Sequence, residues 1–263
     1  MRILVTNDDG IDSPGIIKLA KAAAALGDVT VMAPLKQCSA MSHHITLDRN
    51  MHISEYDFPV PKVKAYALDG TPADCVRSCL VGLLKDEMPD LVLSGINAGS
   101  NCGFDVLYSA TVGAGMEALL YGVPAICFSQ GFNECSLDPE TRKIHAHGFD
   151  EVITEVCDEM LGTLLSEYIN KDAGKGKIWS INFPNCHMKD YKGVLTGRFP
   201  AATPFWNDWY VMEGEGDEKQ VVLKSGPLET AEEGSDIRAL MEGYISIGTL
   251  QNTVLMGKET FVL

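Results

Sequence analysis

No apolar run in this 263-residue chain approaches the ~18–20 residues that cross a bilayer, and no hydrophobic leader precedes Asn7. A cytoplasmic protein that stays off membranes is therefore expected. Basic residues are scarce: 21 Lys and Arg stand against 36 Asp and Glu, a formal charge of −15. So acidic a chain repels nucleic-acid polymers and anionic membranes. The few basic residues near the polar loops described below, Lys36 and Arg49, could meet one phosphate group but not a strand. Paired cysteine motifs are missing as well. The eight cysteines are scattered, with no C-x-x-C and several inside apolar runs, which argues for reduced, buried thiols rather than disulfides or a zinc site. His145-x-His147 could ligate zinc from an extended segment, but it lacks a third partner. Internal repeats and low-complexity tracts are absent.

What is present is a globular composition, 46% hydrophobic and 22% charged, in which strand-like and helix-like segments alternate. Arg2-Ile3-Leu4-Val5-Thr6 reads as a buried strand, with Gly10 as the turn that follows. Ser13-Pro14 reads as an N-cap and first helical residue, opening a helix that reaches Leu26. Strands follow at 29–32, 91–93, 125–128 and 178–181, with short ones inside 45–68. Helices are expected from Pro72, with Val76, Leu80, Leu83 and Leu84 on one face, then over 110–121, and over 148–169. Such alternation predicts an α/β fold: a doubly wound, mostly parallel, Rossmann-like sheet with helices on both faces. From about 185 the pattern changes to strand-like runs at 192–199, 207–213, 219–224 and 243–250, read as a C-terminal β-hairpin extension. The expected division is a core domain over 1–184 carrying the site and an extension over 185–263. Phe199, Phe205, Trp206, Trp209 and Tyr210 concentrate aromatic surface in that extension, so a homodimer or homotetramer is expected.

The chemistry gathers where core strands end. Asn7-Asp8-Asp9-Gly10 follows the first strand, Gln37-Cys38-Ser39 the second, and Ser94-Gly95-Ile96-Asn97 the third. In an open α/β sheet those carboxyl ends face the ligand crevice, and parallel neighbours would bring the three loops together. Adjacent carboxylates repel and desolvate poorly, and a divalent cation is the simplest way to hold them. Hard oxygen donors favour one magnesium or manganese ion per subunit, with calcium a third candidate. A solvated Asx turn is the alternative. Ser39 and Asn97 would add neutral oxygens. The segment from Tyr108 to Gly115 places hydroxyls and glycines at a helix start, suited to an anion. Close helix packing explains Gly113-x-Gly115 equally well.

These segments together resemble the stationary-phase survival protein family SurE, metal-dependent 5′/3′-nucleotidases also described as acid phosphatases. The matching stretches are NDDG at 7–10, Ser39 with Ile45-Thr46-Leu47, GTPADCV at 70–76, SGIN at 94–97 with Asn101, and Tyr108 to Glu117. The match is close over about the first 130 residues. Ala40 stands where a glycine is frequent, and Ala110 and Gly115 also depart from the usual residues. The resemblance implies metal ligation by Asp8, Asp9, Ser39 and Asn97, catalytic roles for Asp8 and Asp9, and a phosphate pocket lined by Asn101, Ser109 and Thr111. The implied substrate is a nucleoside monophosphate. His43 and His44 fall in the variable part of their loop and read as contacts to solvent or substrate rather than general acids. The rival reading, a phosphorylation-controlled receiver domain, needs a third aspartate after a later core strand, and Leu91-Val92-Leu93 leads instead to Ser94-Gly95-Ile96-Asn97. A haloacid-dehalogenase-type phosphatase would need its aspartates two apart.

Overall fold

The computed structural model describes residues 1–131, 135–137, 144–146, 154–205, 207–216, 218–226 and 228–252. Among the described residues five α-helices and thirteen strands follow in the order β1 (Arg2–Thr6), α1 (Pro14–Ala23), β2 (Asp28–Pro34), β3 (Ile53–Glu55), β4 (Lys64–Leu68), α2 (Pro72–Ser78), β5 (Leu91–Ala98), α3 (Ala110–Leu120), β6 (Ala125–Gln130), β7 (Cys135–Leu137), β8 (Ile144–Ala146), α4 (Glu155–Tyr168), β9 (Lys177–Phe183), β10 (Gly193–Arg198), β11 (Asn207–Glu213), β12 (Gln220–Gly226), α5 (Asp236–Met241) and β13 (Tyr244–Gln251). Nine strands form one sheet in the order β10-β13-β9-β6-β5-β1-β2-β4-β3. From β4 through β9 neighbouring strands run parallel. β3 pairs antiparallel with β4, and β13 pairs antiparallel with β9. The expected doubly wound, mostly parallel sheet is the observed one.

The strands build two cores because successive side chains point to opposite faces. Ile3 and Val5 of β1 pack with α1 and α4, whereas Leu4 packs with α2 and α3 on the other face. β2, β5 and β6 repeat the alternation through Val31 and Met32, Val92 and Leu93, and Cys127 and Phe128. Both faces are therefore buried, which is why these strands read as continuous apolar runs. Phe128 and Phe183 stack under the α1/α4 layer, with ring centroids 6.4 Å apart.

Ser13 accepts from the Ile16 N–H and caps α1 above Pro14, as expected, but the helix ends at Ala23 rather than Leu26. After α2 the chain widens into a π turn over Cys79–Leu83. That turn shifts the helical phase, so Leu83 is 43% exposed while Val76 and Leu80 are buried. The helix expected over 148–169 is described from Glu155 to Tyr168, and Ile153 lies outside the described residues. Beyond residue 184 the four strand-like runs appear as β10 to β13. β11 and β12 form the antiparallel hairpin, and β10 and β13 extend the main sheet. Cys102, Ala201, Ile237 and Leu240 make a third small core that ties α5 to the loop after β5. Cys38, Cys75, Cys79, Cys102, Cys127, Cys157 and Cys186 are free thiols, all but the last buried.

Candidate functional site

The chain runs β1, β2, β4 toward one edge of the sheet, then returns to β5 on the other side of β1 and continues to β6 and β9. The order reverses between β1 and β5, and a doubly wound sheet opens its ligand crevice outside the strand ends at such a switch point. Asp8 and Asp9 follow β1 on one side of it, and Asn97 lies at the end of β5 on the other. The loop carrying Ser39 leaves β2, the strand beside β1.

Asp8 is only 3% exposed, and its Oδ1 accepts the Thr111 hydroxyl at 2.6 Å. Asp9 Oδ2 accepts the Ala98 N–H at 2.9 Å. Among the described residues no lysine or arginine makes an ion pair with either carboxylate. Burial therefore pushes the Asp8 carboxyl up to about 6. Desolvation, together with the charge of Asp8, raises Asp9 to about 7. Beneath the pair, Asn7 donates through Nδ2 to Gly10 O and Ser13 Oγ, and its buried Oδ1 has no partner. Thr6 and Ser94, which face each other in the β1–β5 register, also bury hydroxyls without partners.

This donor set fits a hard divalent cation. Asn97 donates from Nδ2 to Gly99 O at 2.8 Å, which fixes the amide and leaves Oδ1 as its acceptor. The nearest thiols stay protonated, since burial drives Cys38 up to about 11 and Cys127 up to about 12, so oxygen dominates. Among the described residues no group of three or more His, Cys, Asp or Glu gathers to hold a metal, so nothing there supplies a receiver's third acid.

Of the residues singled out from sequence, Asp8, Asp9, Asn97 and Thr111 are joined here by hydrogen bonds, directly or through Ala98 and Gly99. Ser39 is exposed on its loop, accepts from Gln37 Nε2 at 3.0 Å, and is tied to the site by the Cys38 N–H, which donates to Asp8 O at 2.7 Å. Ser109 caps α3, its Oγ accepting the Val112 N–H at 3.1 Å. Asn101 is turned into a buried network: its N–H donates to Asn182 Oδ1 and its Nδ2 to Ser129 Oγ. The two small residues of α3 divide their work. A Cβ on Gly115 would meet Cys127 Sγ at 2.7 Å, the helix-on-sheet packing expected, whereas one on Gly113 would meet Ser42 O at 2.4 Å in the Ser39 loop. His147 lies outside the described residues.

Sequence reasoning missed Asn182 and Ser129, although both are polar residues closing core strands, the signal that found Asn97. It also missed Glu117. That carboxylate is buried in α3 between the Arg77 guanidinium and the His43 imidazole, each 2.6 Å away.

The family described as Survival protein SurE matches residues 3–203. A 5′-nucleotidase SurE of Clostridium beijerinckii is 34% identical over 252 residues, covering 95% of this chain and 92% of that protein. Another, from Carboxydothermus hydrogenoformans, is 40% identical over 200 residues, 75% of this chain and 70% of its own length. The crystal structure of the SurE protein from Aquifex aeolicus matches the fold with a TM-score of 0.72 at 32% identity, over 95% of this chain and 93% of that one.

Proposed function

The chain belongs to the SurE family, and on that premise we propose that it is a divalent-metal-dependent phosphomonoesterase hydrolysing nucleoside 5′- and 3′-monophosphates. Its relatives' names support hydrolysis of nucleotides. The observation that carries the metal dependence is the Asp8–Asp9 pair, adjacent and desolvated at the switch point with no cationic side chain among the described residues to compensate it. Asp8, Asp9, Ser39 and Asn97 would hold one magnesium or manganese ion, or calcium. When bound, that ion neutralises phosphate charge in the transition state and supplies an oriented water.

The chain's own residues do the rest. Thr111 donates to Asp8 and fixes its carboxylate, and the Ala98 N–H does the same for Asp9. Whichever Asp oxygen remains uncoordinated can accept the proton of the attacking water. Direct attack by an aspartate is disfavoured because ligation and these hydrogen bonds occupy its lone pairs. The N-terminus of the 11-residue α3 favours an anion through the helix dipole. Ser109, the N-cap of α3, and Asn101 are the other candidate phosphate contacts. With a formal charge of −15, a small monoester is favoured over a polynucleotide.

The buried free thiols support a reducing compartment such as the cytoplasm. No helix among the described residues is long and apolar enough to cross a membrane. On the hairpin, Tyr210 and Met212 are 72% and 65% exposed, which supports assembly into a homodimer or homotetramer. Light scattering at micromolar concentration gives a multiple of the 28.5 kDa chain mass if so, and the chain mass if not.

The deciding experiment is phosphate release from a panel of nucleoside 5′- and 3′-monophosphates by exhaustively chelated protein, with and without added Mn²⁺ or Mg²⁺. Activity is expected to vanish on chelation and return with the cation. Full activity without metal would sink the mechanism.

A further inference from the structure

Ser39 stands on an exposed loop without regular structure, so what it can contribute depends on how the loop is held. Before Ser39 the loop is pinned by the Cys38 N–H on Asp8 O. After it the backbone takes an uncommon path: Ala40 and Ser42 have φ of +58° and +54°, a region L-residues rarely occupy. Non-glycine residues persist in such conformations only when the surroundings over-determine them.

The surroundings here are α3, the short turn just before it, and the start of α2. The Ser42 N–H donates to Tyr108 O at 2.8 Å and its hydroxyl to Leu107 O at 2.7 Å. Gly113 has no Cβ, and that lets Ser42 and His43 lie directly on the helix. His43 Nε2 then meets Glu117 Oε2 at 2.6 Å, and Thr71 Oγ1 donates to His44 O at 2.6 Å. Glu117 is a rigid anchor. Its side chain is 1% exposed and its other oxygen takes Arg77 Nε from α2 at 2.6 Å. The hydrogen bonds from His43 and Arg77, with the charge of the Arg77 guanidinium, hold its carboxyl below the usual range despite burial.

We propose that His43, clamped on the Glu117–Arg77 pair, is the positioning residue that holds the Ser39 loop in register with Asp8 and Asp9. The inference rests on the reading of Ser39 as a cation ligand. His43 touches no reacting group; it acts through the backbone of 39–43. Residues that orient metal ligands in this indirect way are commonly worth 10- to 100-fold in metal affinity.

The test uses the full chain as wild type, His43→Ala, His43→Gln, Ser39→Ala and the Ser39/His43 double alanine variant. Hydrogen exchange of the metal-free proteins, read over 36–46, measures whether the loop opens. Mn²⁺ affinity, read from the electron paramagnetic resonance signal of the free ion, measures the consequence. His43→Ala is expected to speed exchange at Ser42 and its neighbours and to weaken Mn²⁺ about 10-fold. Ser39→Ala should weaken it by a similar factor, and the double variant should be no weaker than either, because both changes remove the same contribution. His43→Gln keeps an N–H for Glu117 and should restore both readouts. Unchanged exchange in His43→Ala overturns the inference and leaves the ligand reading standing, and so does a double variant whose losses multiply. A Ser39→Ala protein that binds Mn²⁺ like wild type overturns the ligand reading and this inference with it.

Discussion

Two clusters of buried or half-buried acid border the Ser39 loop, and the fold treats them in opposite ways. Glu117 is enclosed by Arg77 and His43, and its carboxyl is held below the usual range. Asp8 and Asp9 have the Thr111 hydroxyl and backbone N–H groups as donors but no cation among the described residues, and burial lifts both. Burying an ionised group without compensation is costly, so a chain that compensates one carboxylate fully and leaves a neighbouring pair uncompensated has assigned them different work. Glu117 stabilises the architecture. On the proposed reading, the aspartates would take a positive charge that no described side chain supplies.

The sharpest way to break that distinction is Asp9→Asn. Neutralising one of two ligand charges should lower turnover at least ~100-fold, the scale for losing one preorganised charge-stabilising group. The metal-free protein should melt at the wild-type temperature or above it, because a desolvated acid has been removed. Added Mn²⁺ should raise the melting temperature of the wild type and not of the variant. Near-normal turnover would show that the site has been misassigned.

Glu117→Ala should do the reverse to stability. Removing the shared acceptor strands two partners, and breaking such a buried pair costs roughly 3–5 kcal/mol. Arg77 and His43 both reach solvent in part, which places the loss near about 3 kcal/mol. Thermal unfolding in the absence of metal is the measurement. A Glu117→Ala protein as stable as wild type would erase the contrast between the two clusters.

How much of this was legible in the sequence follows from range and periodicity. β1, β2, β5 and β6 were readable because strands buried on both faces are continuous apolar runs punctuated by Gly and Pro. Asp8, Asp9 and Asn97 were readable because they close those runs. The Glu117 cluster was not, since its members are 40 and 74 positions apart and only the packing of α2 and of the Ser39 loop on α3 brings them together. A lone glutamate inside the apolar stretch from Ala110 to Leu120 was the one available signal. The entry of β10 and β13 into the main sheet was equally hidden, because period-two patterning cannot tell a hairpin from an edge strand. The π turn at Cys79–Leu83 leaves no mark in composition.

A smaller effect separates the clusters by pH. Asp8 and Asp9 have folded-state values raised to about 6 and 7, so between about pH 4 and 7 the folded metal-free chain holds protons that the unfolded chain has released. The pair therefore makes stability fall as pH rises through that window. Glu117 is lowered, so its contribution is present above its ordinary value and is lost as pH falls through the folded one. Melting temperatures of metal-free wild type and Asp9→Asn measured from pH 4.5 to 8 should diverge upward in pH, the variant holding steadier. Parallel curves would mean that the aspartates are not desolvated.

The smallest effect tests whether a residue can belong to both regions. Ser109 caps α3, and a hydroxyl that accepts the Val112 N–H still has its own proton to donate to a phosphate oxygen. Ser109→Ala should cost ~1 kcal/mol through the lost cap, about 2–4 °C in a chain of this size. If the hydroxyl also meets substrate, KM should rise a few-fold with kcat less affected. Ser109→Asp separates the two roles, because aspartate caps as well as serine but presents a negative charge to an anion. It should recover the melting temperature while raising KM well beyond the alanine variant. Recovery of both would make Ser109 a cap alone and move the phosphate contacts to the amides of α3 and to Asn101.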